Sequence, residues 1–265
     1  MPQKERLDLV ITQRGLCPSR QRAQTTIMSG LVFVEGQRED KPGLLVTPDV
    51  HIEVRGDPVG FVSRGGLKLQ KALDTFNLPV SGLLALDAGV STGGFTDCLL
   101  KRGARRVWAV DVGYGQLDWR LRQDERVVVM ERVNIRYVTP EMIGVPLDLA
   151  VIDLSFISLR LVLPAVARLL DQGGWAVCLI KPQFEAGRDK VGKKGVVRDP
   201  LVHLEVLNRF AADAVRVGFG LAELTFSPIR GPMGNIEYLA LLNFEGTTAP
   251  DIAAVVKAAH EALQT

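Results

Sequence analysis

Seven short apolar runs constrain the fold of this chain more than any other feature of its sequence. They predict strands at 83–88, 106–111, 127–131, 148–153, 174–181, about 220–227 and 237–244, with helical segments such as 94–102 and 159–170 between them. The runs are almost continuously apolar, as expected of parallel strands whose two faces are both covered by helices. We therefore predict an α/β fold with a doubly wound, Rossmann-like sheet.

The first 57 residues have a different pattern, which predicts a small α/β domain. Apolar residues at helical spacing predict helices over 6–15 and from 19 to about 30, with Ser19 as the N-cap of the second. Short strands are predicted at 31–34, 44–46 and 52–54. Proline and glycine then interrupt the pattern, so we predict a linker over 58–62 and a larger domain over 63–265.

Composition is typical of a globular protein of the cytoplasm, which is the location we expect. The 265 residues carry a net charge of only +2, so affinity for nucleic acid would have to come from local basic patches. The sequence contains no uninterrupted apolar run of about 18 residues, so we predict no membrane span. The three cysteines and three histidines are far apart in sequence. This spacing predicts no disulfide framework and no metal site. We expect each histidine to be structural or solvated.

A glycine-rich turn, Asp87-Ala-Gly-Val-Ser-Thr-Gly-Gly94, follows the first predicted strand of the larger domain. Glycines let a backbone turn tightly and approach a ligand closely. Asp111 ends the next strand, where an acidic side chain can accept hydrogen bonds from both hydroxyls of an adenosine ribose. Because Ser91 replaces the second glycine of the dinucleotide-binding pattern, the turn suits S-adenosylmethionine, which has no phosphates, better than a nicotinamide cofactor. A strand–helix connection without a ligand is the alternative.

Four separated polar residues stand where this fold would bring them to one pocket. Asp153 and Lys181 each end an apolar run, and ligands bind at that end of the strands in an open α/β sheet. Lys68 precedes the first run, and Glu237 opens the last.

The types of these four residues predict removal of a proton from a hydroxyl beside a bound cofactor. A lysine is a base only when neutral, and burial or a second cation favours the neutral form. We assign the base to Lys181 and the cation to Lys68. Asp153 and Glu237 would orient the lysines and keep the pocket neutral. A surface group of salt bridges is the alternative.

These residues lie in stretches that resemble the TlyA-type ribosomal RNA 2′-O-methyltransferases, whose catalytic domain is of the FtsJ type. The matching stretches are Val62-Ser-Arg-Gly-Gly-Leu-Lys-Leu69, Leu86-Asp-Ala-Gly-Val-Ser-Thr-Gly-Gly-Phe-Thr-Asp97, Ala109-Val-Asp-Val-Gly-Tyr-Gly-Gln-Leu117, Asp153-Leu-Ser-Phe-Ile-Ser158, Leu179-Ile-Lys-Pro-Gln-Phe-Glu185 and Lys194-Gly-Val-Val-Arg-Asp199. The resemblance covers nearly the whole chain, and the N-terminal module is similar to an S4 RNA-binding domain. It implies a class I, S-adenosylmethionine-dependent methyltransferase sheet in which the four polar residues are the catalytic tetrad.

The resemblance and the strand ends together imply two further sets of residues. The cofactor contacts are Asp87, Gly89, Ser91, Thr92, Gly93, Gly94, Phe95, Asp111, Val112, Asn134, Ile135 and Asp153. The RNA contacts, drawn from the S4 motif positions and two basic patches, are Arg6, Arg14, Ser19, Arg20, Arg64, Arg188, Lys190, Lys193 and Lys194. The glycine-containing loop over 182–199 is predicted to be mobile and to close on RNA phosphates. Aromatic residues are scarce, which favours recognition of phosphate and shape over base stacking.

The resemblance thus implies a two-domain enzyme that methylates ribose 2′-hydroxyls, on cytidine, in 16S or 23S ribosomal RNA of the ribosomal subunits. We expect a monomer that binds neither a membrane nor a metal. A non-catalytic RNA-binding or ribosome-assembly factor, a haemolysin-like membrane-active protein and a nicotinamide-dependent dehydrogenase are the alternatives. Some family members carry a basic-aromatic tetrapeptide before the tetrad lysine. Pro58-Val-Gly-Phe61 stands there in this chain, so no role of the linker is carried over.

Overall fold

Two compact units, Met1–Arg64 and Gly65–Thr265, make up the chain. The computed structural model describes residues 4–17, 20–28, 30–54, 60–245 and 250–263. The division between the units falls close to the predicted linker, and the exact domain bounds stay a prediction. The predicted N-cap, Ser19, lies outside the described residues.

The first unit packs two helices against short antiparallel strands. Its elements are β1 (Glu5–Arg6), α1 (Leu7–Gln13), α2 (Arg20–Met28), β2 (Val32–Val34), β3 (Gln37–Glu39), β4 (Leu45–Val46) and β5 (Ile52–Val54). β2 pairs with β3 and β5, and β1 pairs with β4. Leu7, Ile11 and Ile27 are completely buried in its core. The predicted helices and strands of this unit are confirmed. β1 and β3 were missed because they contain no apolar residue and so form no apolar run in the sequence.

The second unit is built of helices and strands in alternation. Its elements are α3 (Gly65–Thr75), β6 (Leu84–Ala88), α4 (Gly94–Lys101), β7 (Arg106–Asp111), α5 (Trp119–Arg122), β8 (Val127–Glu131), α6 (Pro140–Ile143), β9 (Leu147–Ile152), α7 (Leu163–Leu169), β10 (Leu170–Ile180), α8 (Pro182–Glu185), α9 (Pro200–Val215), β11 (Gly220–Phe226), β12 (Tyr238–Asn243) and α10 (Ile252–Ala262). Short 3₁₀ turns lie at Ile135–Tyr137, Leu159–Leu161, Arg188–Lys190 and Pro232–Gly234.

The strands of this unit form one seven-stranded sheet in the order β11-β12-β10-β9-β6-β7-β8. The five strands from β10 to β8 run parallel, and β12 runs antiparallel to both of its neighbours. The predicted Rossmann-like sheet is therefore confirmed. β6 lies between β7 and β9, so the chain changes direction across the sheet at β6. Such a switch point opens a crevice at the carboxyl ends of the strands, where ligands bind.

Packing of α3 brings one further element to that edge. Leu69, Ala72 and Leu73 are buried on one face of α3, which lies against α4 and β12. Lys68 on the same helix is thereby carried to the start of β12. Within the described residues, no helix is both long and apolar enough to cross a lipid bilayer.

Candidate active site

The glycine-rich turn lies between β6 and α4 and touches the backbone of Asp153. Gly89 has φ +93°, and a Cβ at this position would stand 2.4 Å from the backbone oxygen of Asp153. Gly93 has φ +97°, and a Cβ there would stand 2.3 Å from a methyl carbon of Leu121. Both positions therefore require glycine for conformation and for space. The turn therefore places Gly89, a predicted cofactor contact, directly beside Asp153, a predicted catalytic residue.

The remaining turn residues differ in their surroundings. Ser91 is exposed and has φ +48°, and Thr92 is half-buried. Gly94 begins α4, and the side chain of Phe95 is buried. Because the Phe95 ring packs in the interior, only its backbone is available to a ligand at the turn.

Two carboxylates flank the turn. Asp87 is completely buried; its Oδ2 accepts a hydrogen bond from Thr96 Oγ1 at 2.6 Å, and its Oδ1 has no partner among the described residues. Burial raises the pKa of Asp87 to about 7. Asp111 accepts hydrogen bonds from the backbone N–H groups of Ser91 at 2.8 Å and Gly113 at 2.7 Å. These bonds fix the Asp111 carboxylate beside the turn.

The end of β8 lies next to Asp111, because the N–H of Val133 donates to the Asp111 backbone oxygen at 3.0 Å. Asn134 follows, and its side-chain oxygen caps the next 3₁₀ turn. The side chain of Ile135 is buried in the core, so only its backbone can face a ligand. Val112, in contrast, is 67% exposed beside Asp111.

The four predicted catalytic side chains form two ion pairs. Lys181 Nζ lies 2.5 Å from Asp153 Oδ1 and donates to Ser155 Oγ at 3.0 Å. Lys68 Nζ donates to Glu237 Oε2 at 2.5 Å. Both lysine side chains are 10% exposed, and that of Glu237 is completely buried. Charges buried to this extent need partners, so the fold holds these groups at a cost that an exposed salt bridge would avoid.

Strand register brings the two ion pairs to one edge of the sheet. β10 pairs in parallel with β9 and antiparallel with β12, where Ile180 lies opposite Tyr238. The next residues along these two strands are Lys181 and Glu237, which are therefore neighbours. Asp153 directly follows β9. The structure thus places the four residues together, and their catalytic roles stay a prediction.

The pairing adds a detail that the sequence does not contain. The sequence argument set Lys68 beside Lys181 as a neighbouring cation. In the structure each lysine has its own carboxylate, Asp153 for Lys181 and Glu237 for Lys68. Two such pairs have no net charge, in keeping with the balancing role proposed for the acids.

Comparison with known proteins identifies the family. The family model described as FtsJ-like methyltransferase matches residues 61–244. The chain belongs to the FtsJ-like methyltransferases. A second family model, the S4 domain, matches residues 5–52 of the first unit. The resemblance stated from the sequence motifs is therefore confirmed for both units.

Three relatives of this FtsJ-like methyltransferase match it over nearly the full length of both chains. The 16S/23S rRNA (cytidine-2′-O)-methyltransferase TlyA of Mycobacterium tuberculosis is 44% identical over 99% of this chain and 98% of its own. YqxC of Bacillus subtilis is 51% identical over 98% of this chain and 96% of its own. A Streptococcus thermophilus protein of known structure is 45% identical, with a TM-score of 0.79 over 100% of this chain and 98% of its own.

The loop after β9 contains residues of the site that the sequence prediction missed. Ser155 accepts the hydrogen bond from Lys181. Glu185 on α8 accepts hydrogen bonds from Ser158 Oγ at 2.6 Å and from the N–H of Leu159 at 2.8 Å, and so fastens the far end of this loop. Burial raises the pKa of Glu185. Both stretches belong to the motifs that match the family, but strand patterns do not reveal which side chains bond across them.

Exposed aromatic rings surround the same edge and were also missed. Phe156 is 90% exposed at φ +64°, and its ring centroid lies 5.0 Å from that of Phe184. Tyr114, Trp119 and Tyr137, which follow β7 and β8, are 62–71% exposed. A non-glycine residue with positive φ is uncommon, so the backbone holds Phe156 outward at some conformational cost. Aromatic residues are scarce in the sequence as a whole, so the composition did not indicate that several of them are exposed at this edge.

The predicted RNA contacts after Lys181 are exposed on an anchored loop. They are Arg188, Lys190, Lys193 and Lys194. Lys190 pairs with Glu205 of α9. The side chain of Asn235 donates to the backbone oxygen of Gly195 at 2.9 Å and accepts from the N–H of Val197 at 3.1 Å. The mobility predicted from the glycines of this loop stays a prediction.

In the S4 unit, buried Asp8 gathers two of the predicted RNA contacts. Its carboxylate accepts from Arg6 Nε at 3.0 Å and Nη2 at 2.9 Å, from Arg20 Nε at 3.2 Å and from Gln24 at 2.7 Å. The hydrogen bonds from Arg6 are the largest cause that holds the pKa of Asp8 well below its usual range. Arg6 and Arg20 remain 42% and 51% exposed, so part of each guanidinium still faces solvent.

Two other predicted RNA contacts have different surroundings. Arg14 donates to the backbone oxygens of Pro48 and Val50, so its guanidinium also braces the S4 unit. Arg64 is exposed just before α3.

Two of the histidines form a contact that their spacing in the sequence does not reveal. His203 and His260, which are distant in sequence, lie in contact, with 3.1 Å between His260 Nε2 and His203 Nδ1. His203 also bonds Tyr238 Oη at 2.7 Å and the backbone oxygen of Val197 at 3.1 Å. Burial lowers the pKa of His203 to about 4, so the ring is neutral at pH 7 and structural.

Proposed function

We propose that this protein transfers a methyl group from S-adenosylmethionine to a ribose 2′-hydroxyl of cytidine in ribosomal RNA. The observation that carries the proposal is Lys181, buried at the carboxyl end of β10, paired with Asp153 and adjacent to the glycine-rich turn. The activity in the name of the Mycobacterium tuberculosis relative supports the choice of substrate. The S4 match supports RNA as the polymer.

The residues around the turn fit S-adenosylmethionine. Gly89 packs directly against the Asp153 backbone, which keeps the glycine-rich turn at the carboxyl end of β9. The Asp111 carboxylate uses one acceptor position on each oxygen for backbone N–H groups and keeps others for ribose hydroxyls. The unpartnered Oδ1 of Asp87 offers a negative charge to a cationic ligand. When bound, S-adenosylmethionine supplies an electrophilic methyl group on a positively charged sulfur.

We assign removal of the proton from the 2′-hydroxyl to Lys181 Nζ. Asp153 and Ser155 hold Nζ in one place, which reduces the cost of aligning it with a bound ribose. A neutral Nζ takes the proton from the hydroxyl, and the oxygen keeps the electron pair that makes it a nucleophile.

The aromatic rings at this edge give the substrate a place to stack. Phe156 packs against Phe184, whose ring centroid lies 6.0 Å from Lys181 Nζ, so a base stacked on Phe156 would lie close to Lys181. Stacking of a base on an aromatic side chain contributes about 1–3 kcal/mol and needs an unpaired base. Recognition of RNA by this protein therefore combines stacking at the site with phosphate contacts on the S4 unit and on the basic loop.

Two measurements test the proposal. Calorimetry should show binding of S-adenosylmethionine and no binding of NAD, since the turn lacks the dinucleotide pattern. Labelled S-adenosylmethionine should transfer its methyl group to ribosomal RNA in the presence of the protein. Binding of NAD alone would favour a dehydrogenase, and cofactor binding without transfer to any ribosomal substrate would favour a non-catalytic assembly factor.

The affinity for S-adenosylmethionine should rise with pH between about 6 and 7.5. Burial raises the pKa of Asp87 to about 7, so the carboxyl is largely neutral at pH 6 and becomes negative above pH 7. A cationic ligand favours the negative form, so protonation of Asp87 competes with binding. Below its pKa, one linked proton changes the dissociation constant by up to about tenfold per pH unit. Calorimetry across this pH range measures the change.

Asp87→Asn is the matched control for this pH dependence. Asparagine keeps the size of the side chain and can still accept from Thr96, but it does not titrate. The variant should bind more weakly than the unchanged protein at pH 7.5 and should show a flatter pH profile. A wild-type affinity that is constant from pH 6 to 7.5 would contradict the role of Asp87.

Alanine at Arg188, Lys190, Lys193 and Lys194 should weaken RNA binding and flatten its dependence on salt. Each lost phosphate contact reduces the slope of log K against log salt by about 0.7–0.9. Because Lys190 is already paired with Glu205, we expect the loss of about three contacts rather than four. Filter binding over a salt series measures the slope.

Alanine at Arg216 and Lys257 serves as the control for this variant. Both side chains are strongly exposed cations outside the basic loop, on or next to α9 and α10. The control should leave the RNA affinity and slope nearly unchanged, and both variants should bind S-adenosylmethionine normally. An unchanged salt slope in the fourfold variant would show that the loop does not contact phosphates.

A further inference from the structure

The Glu237 carboxylate rests against the backbone of Gly231. Its Oε2 accepts the hydrogen bond from Lys68, and its Oε1 has no partner among the described residues. A Cβ added to Gly231 would lie 2.1 Å from Glu237 Oε1 and 2.6 Å from its Cδ. Real Cβ atoms do not approach other atoms this closely, so a side chain at 231 and the present position of the carboxylate exclude each other.

Backbone conformation does not explain the glycine at this position. Gly231 has φ −67° and ψ 177°, which every residue adopts easily. The three heavy atoms nearest to the added Cβ all belong to the Glu237 carboxyl group. Glycine at 231 therefore leaves room for the Glu237 carboxylate. At positions 89 and 93, in contrast, glycine is required by the positive φ as well as by the lack of space.

The turn that contains Gly231 is held in place. The N–H of Gly231 donates to the backbone oxygen of Asn235 at 2.9 Å, and the N–H of Gly234 donates to Gly231 at 3.1 Å. The side chain of Asn235 is in turn bonded to Gly195 and Val197. With the turn fixed, the end of the Glu237 side chain has more freedom to move than the backbone does.

We propose that Gly231 is a positioning residue for the reaction, which seats the Glu237 carboxylate where it holds Lys68 beside Lys181. This inference rests on the proposed methyl transfer. A methyl group at 231 would push the carboxylate away from Lys68 and loosen the pair. Among the described residues, the backbone hydrogen bonds of Gly231 go to Asn235 and Gly234 and not to the cofactor turn, so we expect the binding of S-adenosylmethionine to be unaffected.

A double-mutant cycle of Gly231→Ala and Glu237→Ala tests the proposal. Gly231→Ala should lower the rate of methyl transfer by about tenfold or more, approaching the loss in Glu237→Ala, with an unchanged dissociation constant for S-adenosylmethionine. In the Glu237→Ala background the clash is gone, so Gly231→Ala should change the rate by less than about twofold. A wild-type rate in Gly231→Ala, or an equal loss in both backgrounds, would overturn the proposal.

Thermal unfolding separates this inference from the proposed function. Gly231→Ala should lower the melting temperature of the wild-type protein by a few degrees, but should not lower that of the Glu237→Ala variant. Gly173→Ala is the control, because a Cβ at 173 meets no atom within 4 Å. If the protein transfers no methyl group, the proposed function fails, and the melting temperatures still decide whether Gly231 acts through Glu237. Equal decreases in melting temperature in the wild-type and Glu237→Ala backgrounds would refute the role of Gly231.

Discussion

Alanine in place of Lys181 should lower the rate of methyl transfer to RNA by about 10²–10⁴, the usual loss when a positioned base is removed. The side chain is 10% exposed, and Asp153 and Ser155 fix its Nζ at the carboxyl end of β10. Among the described residues, the polar contacts of Lys181 are with Asp153 and Ser155, so S-adenosylmethionine should bind with nearly unchanged affinity. Single-turnover transfer and calorimetry measure the two effects separately.

Lys181→Arg distinguishes a base from a simple positive charge. Arginine keeps the charge beside Asp153 but does not lose its proton near neutral pH. If Lys181 removes the proton, the arginine variant should be as inactive as the alanine variant. Transfer within a few-fold of the wild-type rate in Lys181→Ala would show that another group is the base.

Asp111→Ala should weaken the binding of S-adenosylmethionine by tenfold or more. Hydrogen bonds to a charged carboxylate contribute about 1.5–3 kcal/mol each, and a ribose offers two hydroxyl donors. The same carboxylate holds the N–H groups of Ser91 and Gly113, so its removal also loosens the cofactor turn. The dissociation constant from calorimetry measures the loss.

Asp111→Asn helps to separate these two contributions. The amide can still accept one hydrogen bond but lacks the charge and the second oxygen, so its affinity should lie between those of wild type and Asp111→Ala. At saturating S-adenosylmethionine, both variants should recover most of the rate of transfer. An unchanged dissociation constant in Asp111→Ala would place the ribose contact elsewhere.

Much of the fold was predictable because local pattern and final structure agree. The runs at 106–111 and 127–131 became β7 and β8 with the same bounds. The helix predicted over 159–170 is instead a 3₁₀ turn followed by α7 at Leu163. Pro164 explains the break, since proline is tolerated only in the first turn of a helix. The antiparallel direction of β12 depends on its connection to β11 rather than on the composition of either strand.

The candidate site was predictable in its positions but not in its contacts. Strand ends and the glycine turn locate Asp153, Lys181 and Asp111, because the carboxyl edge of a Rossmann-like sheet is a fixed place. Which lysine pairs with which acid depends on how α3 packs against β12. The seat of Glu237 on Gly231 depends on a turn that no periodicity describes. Likewise, the outward position of Phe156 comes from one residue with positive φ.

Mapping of ribose methylation in ribosomal RNA tests the central claim most directly. Ribosomal subunits that lack the modification would be incubated with S-adenosylmethionine and either the wild-type protein or Lys181→Ala. Because a 2′-O-methyl group blocks alkaline cleavage of the adjacent phosphodiester, each modified nucleotide appears as a protected position. We expect protection at cytidine in 16S or 23S RNA with the wild-type protein and none with the variant. Methylation on a base, or no RNA methylation by the cofactor-bound protein, would contradict the account.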